Sequence, residues 1–430
     1  MHSCFVPATI LLPREDIPVS QWGCLACDQF TSQPEYWADA EALAAEKPSA
    51  LHMVLPEVYL DQPDLQQRIQ TIHATMEEYR TSVLTRQVKG FVYVERTLEG
   101  GSVRQGLVGA VDLEDYDYTP GAKPLVRPTE NTVVERIPPR MAVRQDASLE
   151  SPHILMLVDD RKNTLVEQAA AAKDSLPLLY QGQLPLGSGM IRGWAVEDPA
   201  LVEKLIAAMA DLGSQASFDQ RYPDFAGQPP MAMVVGDGNH SLATAKACWE
   251  KIKAQLPADQ WENHPARYCL AEVCNVHSPA IVFEPVHRVV FGTAGPEMLL
   301  GAAEYCDQEG IVMDKNRPQY SIRIITHSKR LVMGLRRCKE PLAVAVVQKF
   351  LDRFIAGHQE CTVDYIHGED EVARLVQQHG RGTIGLLLPE FPKEQLFCGV
   401  VEGGVLPRKT FSMGKAREKR CYLECRSLLP

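Results

Sequence analysis

The sequence predicts a mixed α/β protein, and three observations support this fold class. Apolar runs typical of buried strands, such as 153–160 and 268–275, occur along the chain together with segments of helical periodicity. A glycine-bearing turn across 99–101 joins two strand patterns directly, which is a hairpin signal. Strand and helix patterns do not alternate in a strict βαβ rhythm, so a single parallel sheet is not expected.

The individual elements follow from periodicity and turn signals. Segment 20–50 is expected to be loop and short helix, and 113–144 is a polar, proline-bearing stretch. Residues 64–84 are predicted as an amphipathic helix, because Leu65, Ile69 and Ile72 share one face. The other predicted elements are strands at 91–97, 102–112, 153–160, 190–196, 268–275, 281–290, 320–326, 330–335 and 384–388, and helices at 163–177, 199–212, 242–255 and 342–355.

A glycine- and proline-containing seam at 291–296 is the weakest point of the pattern. We therefore expect a core domain over residues 1–292 and a smaller C-terminal α+β subdomain over 293–430. At 430 residues the chain is long enough for two or three domains.

Composition restricts the class of function. The formal net charge is −11, which argues against extended contact with nucleic acid, because phosphate neutralisation needs clustered Lys and Arg. No apolar run approaches the roughly 20 residues that cross a bilayer, and the N-terminus lacks a signal-peptide pattern. The expected protein is cytoplasmic and bound neither to nucleic acid nor to membrane, and its oligomeric state is left open.

The chain contains twelve cysteines. Cys24 and Cys27 form the only CxxC pair, and no second pair has the spacing of a zinc site. In a cytoplasmic chain, buried free thiols are the plain interpretation, and the role of this pair is left open.

The most informative segment is the apolar run 231–235 followed by GDGNHS at 236–241 and a helical pattern. A strand, a glycine turn and a helix N-terminus in succession are typical of an anion site, most often for phosphate. Gly236 and Gly238 allow positive φ and close approach of a ligand to the backbone. The alternative is that the segment only makes a turn and a helix cap. The side chains offered to a ligand are Asp237 for Mg²⁺ or a hydroxyl, His240 for a phosphate oxygen or a proton, Asn239, and Ser241 as helix cap and phosphate contact.

A second candidate is the proline-stiffened, charged segment 126–144. Arginine forks match the geometry of phosphate and carboxylate groups. In the alternative interpretation the loop is solvated and its charges pair with one another. The charged residues concerned are Arg127, Arg136, Arg140 and Arg144 with Glu130 and Glu135.

Two weaker candidates lie further along the chain. Glu284, His287 and Arg288 interrupt an apolar run, either as ligand contacts or as a satisfied core group. The glycine-flanked stretch 403–415 carries Lys409 and could close over an anion as a lid, or be a solvated loop. The sequence carries no P-loop, GxSxG or HExxH motif.

With these segments in view, the chain resembles the domain-of-unknown-function 1015 family of bacteria and archaea. The resemblance extends over nearly the whole chain. The matching blocks are CDQFTSQPEYW at 27–37, PS at 48–49, LPEVYL at 55–60, RPTENT at 127–132, ERIPPR at 135–140, PH at 152–153, VDD at 158–160, GDGNH at 236–240, HR at 287–288 and LPRKTF at 406–411.

A more remote similarity is to the ParB/sulfiredoxin superfamily, which includes nucleotide-dependent kinases of free serine. The resemblance implies a ParB/sulfiredoxin-like core with a phosphate-binding turn at 236–240. Ser241 stands where that superfamily's motif usually has arginine, and Arg127, Arg136 or Arg288 would then have to supply the charge.

The function expected from the resemblance is phosphoryl transfer from a nucleotide, ATP or ADP with Mg²⁺, to a small hydroxyl metabolite such as free serine. Asp237 would bind Mg²⁺ or orient the hydroxyl, and Glu130 or Glu135 would act as general base. His240 and the arginines, with Arg140, His287 and Lys409 among the candidate contacts, would bind the phosphates. Two alternatives remain open, a phosphatase that acts on a small phosphorylated metabolite and a non-catalytic nucleotide-binding module.

Overall fold

The computed structural model describes residues 2–31, 33–133 and 137–430. The chain forms two compact units. The first comprises Met1–Ile281, Val400–Gly404 and Ala416–Pro430, and the second comprises Val282–Gly399 and Val405–Lys415.

The first unit is built on a large mixed sheet, whose main strand order is β6-β11-β8-β12-β5-β4-β10-β9, with β1 beside β5 and β2 beside β4. Its strands are β1 Phe5–Val6, β2 Ala8–Leu12, β4 Arg86–Thr97, β5 Val103–Asp112, β6 Val126–Arg127, β8 Leu155–Val158, β9 Leu178–Gln183, β10 Met190–Val196, β11 Met233–Asp237 and β12 Tyr268–Asn275. Strand β8 is parallel to β12 but antiparallel to β11, so the sheet is mixed, as predicted.

Helices and two small ladders complete the first unit. The ladders pair β3 Cys24–Leu25 with β20 Cys421–Tyr422, and β7 Leu149–Glu150 with β21 Arg426–Ser427. The helices are α1 Val19–Trp22, α2 Pro34–Ala44, α3 Leu65–Ser82, α4 Ile137–Arg144, α5 Val166–Ala172, α6 Pro199–Leu212, α7 Gln215–Arg221 and α8 Asn239–Lys253.

Both faces of the sheet are covered by apolar layers. In β4, Val92 and Val94 join one cluster, while Phe91 and Tyr93 join the other. Successive side chains of a strand point to opposite faces, so these clusters lie on opposite sides of the sheet. Helix α8 contributes Leu242, Ala245 and Trp249 to the second cluster, which fixes the helix against the sheet just beyond β11.

The second unit has an antiparallel sheet with the strand order β14-β16-β15-β18-β13-β17, and β19 pairs with β13. Its strands are β13 Phe283–Phe291, β14 Val312–Met313, β15 Tyr320–Thr326, β16 Arg330–Arg336, β17 Thr362–His367, β18 Thr383–Leu387 and β19 Phe411–Met413. Its helices are α9 Gly295–Glu309, α10 Ala343–Gly357 and α11 Glu369–His379, and α12 Gln395–Gly403 ends among residues of the first unit.

The division of the chain differs from the expected boundary after residue 292. Strand β13 pairs with both β17 and β18, so it belongs to the second sheet as a whole. Residues 416–430 return to the first unit, because β20 and β21 pair with strands near the beginning and the middle of the chain. Long-range pairing of this kind leaves no signal in the local composition.

Most of the long predicted elements are present within one to three residues of their expected ends. Segment 113–144 is the main exception, because it contains helix α4. Pro138 and Pro139 stand in the first turn of α4, where a missing backbone N–H removes no intrahelical hydrogen bond. Among the helices of the described residues, none is both long enough and apolar enough to span a membrane.

Candidate functional site

The predicted glycine turn joins β11 to α8. Gly238 is the residue before the helix and has φ +86°, in the left-handed region. A Cβ at this position would lie 3.2 Å from Ile154 Cγ1. Both the backbone angle and the close approach to Ile154 therefore favour glycine here.

Asn239 fixes the start of α8 to the segment that follows β6. Its side-chain oxygen accepts from the Thr129 N–H at 3.1 Å, and its amide donates to Thr129 Oγ1 at 3.1 Å. The Thr129 hydroxyl in turn donates to the Val235 carbonyl at 2.7 Å. These bonds between protein groups give Asn239 a structural role at the turn.

Asp237 forms an ion pair with Lys419, whose ammonium lies 3.1 Å from Asp237 Oδ2. The Oδ2 atom itself is buried without a hydrogen bond. Asp237 Oδ1 accepts from the Gly238 N–H at 3.1 Å. The carboxylate is thus already neutralised by a lysine that comes from the C-terminal segment.

The Mg²⁺ predicted at Asp237 needs a different donor set from the one present. Protein-bound Mg²⁺ takes octahedral oxygen ligands, usually one or two carboxylates with waters and phosphates. Asp237 offers one carboxylate, and Lys419 takes up its charge. In the described part of the chain, no group of three His, Cys, Asp or Glu side chains is arranged to hold a metal. These residues by themselves do not fit a magnesium site.

His240 and Ser241 occupy the first turn of α8. The His240 Nε2 atom accepts from the Val133 N–H at 3.3 Å, so this side chain holds the segment before α4. Ser241 is the third helical residue and does not cap the helix, because Gly238 is the residue before the first turn. The first backbone N–H groups of a helix have no intrahelical acceptor, so they are directed to whatever lies before the helix.

Beside this turn the first unit contains a cleft with about 830 Å³ of open space. Ser241 and Thr244 line it from α8, and Arg140, Val143 and Arg144 line it from α4. The apolar part of its lining consists of Met53, Val54, Leu55, Leu60, Met76, Ala147, Leu149 and Ile154. The polar part beyond α4 and α8 consists of Cys27, Glu57, Glu150, Ser151, His153 and Tyr422.

The arginines of the cleft are paired with carboxylates. Arg140 donates to Glu57, and Arg144 donates to Glu150. Glu150 is 4% exposed and also accepts from Arg426 Nε at 2.8 Å. The cleft lining therefore carries two guanidinium groups and two carboxylates in these pairs, while Arg426 binds Glu150 from outside the lining.

Three polar residues form a chain of contacts in the cleft. His153 Nδ1 lies 2.7 Å from the Tyr422 hydroxyl, which donates to Cys27 Sγ at 2.8 Å. His153 is 3% exposed, and its Nε2 atom is buried without a hydrogen bond. Burial, together with the charges of Asp28 and Glu57, raises the pKa of the Cys27 thiol to about 12. Cys27 is therefore a neutral thiol at physiological pH, and burial likewise raises the pKa of Cys24.

Several sequence-predicted residues do not line the cleft. Arg127 is 1% exposed and donates to the carbonyls of Pro124 and Pro229, so it ties two loops together instead of facing a ligand. Glu130 is half-buried and lies outside the cleft lining. The candidates Glu135 and Arg136 lie outside the described residues.

The remaining candidates belong to the second unit. Arg288 is fully buried and donates to the backbone carbonyls of Lys409 and Arg408 at 3.0 Å each, so it supports the backbone of 403–415. His287 accepts from the Leu388 N–H, and burial, with nearby Arg323, lowers its pKa to about 4. An imidazole that is neutral at pH 7 adds no positive charge for phosphate. The expected lid contains β19, which is paired with β13.

Several of the residues that meet at the turn and cleft carry no signal in the sequence. His153 and Glu57 stood within family-like blocks but carried no motif of their own. Lys419 and Tyr422 belong to a C-terminal segment whose only visible feature was a pair of cysteines. A lone buried lysine or tyrosine gives no sequence signal, because its partner lies hundreds of residues away.

Comparison with known proteins gives one family and several distant structures. No curated protein matches the chain. A conserved hypothetical protein from Pyrococcus furiosus is 11% identical with a TM-score of 0.35, covering 74% of this chain and 93% of that one. A free serine kinase in complex with AMP is 11% identical with a TM-score of 0.37, covering 73% and 90%. SbnI with a C-terminal truncation from Staphylococcus aureus is 9% identical with a TM-score of 0.38, covering 74% and 85%.

Structural likeness of this degree carries no argument about activity. The family comparison is stronger, because the family described as "protein of unknown function (DUF1015)" matches residues 7–354. That range covers most of the chain and includes the glycine turn, α4 and His153, but not Lys419 or Tyr422. The chain is a member of the DUF1015 family.

Proposed function

We propose that the cleft of the first unit binds a nucleotide and that the protein transfers a phosphoryl group from it to a small hydroxyl metabolite. Free serine is the first acceptor to test, on the resemblance noted from the sequence. The observation that carries the proposal is the lining of one cleft by a helix N-terminal turn, two arginines and a broad apolar wall.

The two kinds of lining match the two parts of a nucleotide. The N–H groups of a helix start and the Ser241 hydroxyl are suited to phosphate oxygens, and guanidinium groups form charge-assisted bonds with them. The apolar side chains, among them Met53, Leu55 and Leu149, would contact the flat faces of a base.

In this proposal the side chains of the glycine turn mainly hold neighbouring groups in place. Asp237 anchors Lys419 beside the turn, and Asn239 and His240 hold the neighbouring backbone. Catalysis by such a site would come from orienting the two substrates and neutralising phosphate charge.

The first test is calorimetric titration of wild type with ATP and ADP, with and without Mg²⁺. A matched pair of variants places the ligand, since Arg140→Met removes a cleft guanidinium while Arg80→Met removes an exposed one on α3. We expect Arg140→Met to weaken binding at least tenfold and Arg80→Met to leave it unchanged. Circular dichroism of both variants without ligand checks that they fold.

The products formed on turnover then distinguish the proposed kinase from the two alternative functions. ATP with serine should yield ADP and phosphoserine in equal amounts. Release of inorganic phosphate from phosphoserine, without a nucleotide, would instead favour the phosphatase alternative. Nucleotide binding without turnover of any hydroxyl acceptor would favour the non-catalytic module. Failure of ATP and ADP to bind at millimolar concentration would refute the proposal.

A further inference from the structure

We propose that His153 is the group that accepts the proton from the hydroxyl of the acceptor substrate, and that Tyr422 positions it. This inference rests on the proposed function and assigns the base of that reaction to a residue that no sequence motif marks. Its support is the orphaned nitrogen of His153, the contact of this side chain with Tyr422 and its charged neighbours.

The first observation is an orphaned nitrogen atom. His153 is 3% exposed, it lines the cleft, and its Nε2 atom is buried without a hydrogen bond. Buried polar side-chain atoms nearly always have a partner, so an orphan in a cleft calls for a ligand that supplies one. A core histidine held only for packing would have both nitrogens satisfied or one in solvent.

The proposed role requires the imidazole proton to lie on Nδ1, with Nε2 unprotonated. The Tyr422 hydroxyl donates its one proton to Cys27 Sγ at 2.8 Å. Its oxygen is then available to accept from a His153 Nδ1–H, 2.7 Å away, which is the tautomer that leaves Nε2 unprotonated. In that tautomer the lone pair lies on Nε2, a buried atom of a side chain that lines the cleft. Nε2 is in the form that a general base requires.

The surroundings fix the ring and can stabilise its charge. The His153 and Tyr422 rings pack edge to face, with centroids 5.3 Å apart and planes at 87°. Tyr422 itself is held in the β20–β3 ladder. The Asp28 Oδ1 atom lies 3.8 Å from His153 Nε2, close enough to stabilise an imidazolium once it forms.

Other charged groups face the same space. Arg420 donates to the carbonyl of Pro152, next in sequence to His153. Arg140 and Arg144 with Glu57 and Glu150 line the cleft as paired charges. Asp28 is thus the charged group nearest to Nε2 among the contacts described.

The chemical step is balanced without a further reactant. The O–H bond of the acceptor breaks and its proton passes to His153 Nε2. The oxygen lone pair forms a bond to the γ-phosphorus of the nucleoside triphosphate. The bond from that phosphorus to the bridging oxygen breaks, and its electron pair leaves with the nucleoside diphosphate.

The test compares His153→Gln and Tyr422→Phe with the control His2→Gln, which alters an exposed histidine. We expect His153→Gln to keep the Kd for ATP within about threefold and to lower kcat by about 10²–10⁴-fold. Tyr422→Phe should lower kcat less than His153→Gln does and leave the KM for the acceptor unchanged, and His2→Gln should match wild type.

A second measurement does not depend on turnover. Long-range ¹H–¹⁵N spectra of the imidazoles, assigned by the loss of one signal in His153→Gln, report the tautomer. We expect Nδ1–H with unprotonated Nε2, and a dominant Nε2–H tautomer would overturn the inference. If wild type transfers phosphoryl groups and His153→Gln does so equally well, only the role of His153 fails. If wild type transfers to no hydroxyl, the proposed function fails, and this role fails with it.

Discussion

Replacing Glu150 by glutamine tests how the C-terminal segment is tied to the first unit. Glu150 accepts from Arg426 Nε at 2.8 Å, from the Leu270 N–H at 2.8 Å and from Arg144. Glu150 is 4% exposed and Arg426 is 6% exposed, so solvent screens their interaction little. Glutamine keeps the shape but leaves the buried Arg426 and the partly buried Arg144 without this counter-charge.

Breaking a buried ion pair on one side costs about 3–5 kcal/mol. We expect Glu150→Gln to lose that much of the free energy of unfolding of the first unit. All five tryptophans lie before residue 282, so urea denaturation followed by tryptophan fluorescence reports on this unit alone. Adding Arg426→Met should restore part of the loss, because it removes one of the unpaired cations.

Glu77→Gln is the matched control, since Glu77 forms an exposed pair with Arg80 on α3 and should leave the urea midpoint unchanged. If Glu150→Gln unfolded at the same urea concentration as wild type, the buried cluster would contribute nothing to stability and the reasoning would be wrong.

Three further predictions follow from single positions. Although burial raises the pKa of Glu150, Arg426 and Arg144 outweigh it and hold that pKa below its ordinary value. The stability that Glu150 contributes is therefore fully present above the pKa of an unfolded glutamate, about 4.3, and it is lost as pH falls through the lower pKa of the folded state. Acid unfolding followed by fluorescence should accordingly depend less steeply on pH in Glu150→Gln than in wild type. Gly238→Ala forces a side chain into φ +86° beside Ile154, and should cost about 1–2 kcal/mol in urea denaturation; no cost would mean that the turn relaxes freely. Gly385→Val places Cβ 2.3 Å from Val372 Cγ1, so hydrogen exchange should show lost protection in α11, and unchanged protection would contradict that packing.

The sequence predicted the regular elements well where their periodicity was strong. Tyr268–Asn275, Met190–Val196 and Pro199–Leu212 have the ends expected for them, because their apolar spacing and flanking residues are local signals. Short strands such as β3 and β21 could not be predicted. A strand of two residues is too short to show periodicity, and β3 and β21 are strands only because distant segments pair with them.

The glycine turn was predicted as strand, turn and helix for a local reason. An apolar run, a residue suited to positive φ and a helical pattern stand next to one another in the chain. The roles of its side chains depend on distant segments, since Asp237 forms an ion pair with Lys419 and Asn239 forms hydrogen bonds with Thr129. Sequence spacing gives no information on either partner.

The sequence by itself determined the family, the mixed α/β class and the position of a helix start suited to anions. Only the tertiary structure decided which residues surround that helix start. It buried Arg127 and Arg288 against backbone carbonyls and brought His153 and Tyr422 into one cleft. The physical reason is that a polar side chain acquires its role from its burial and its partners, and both depend on segments far apart in the chain.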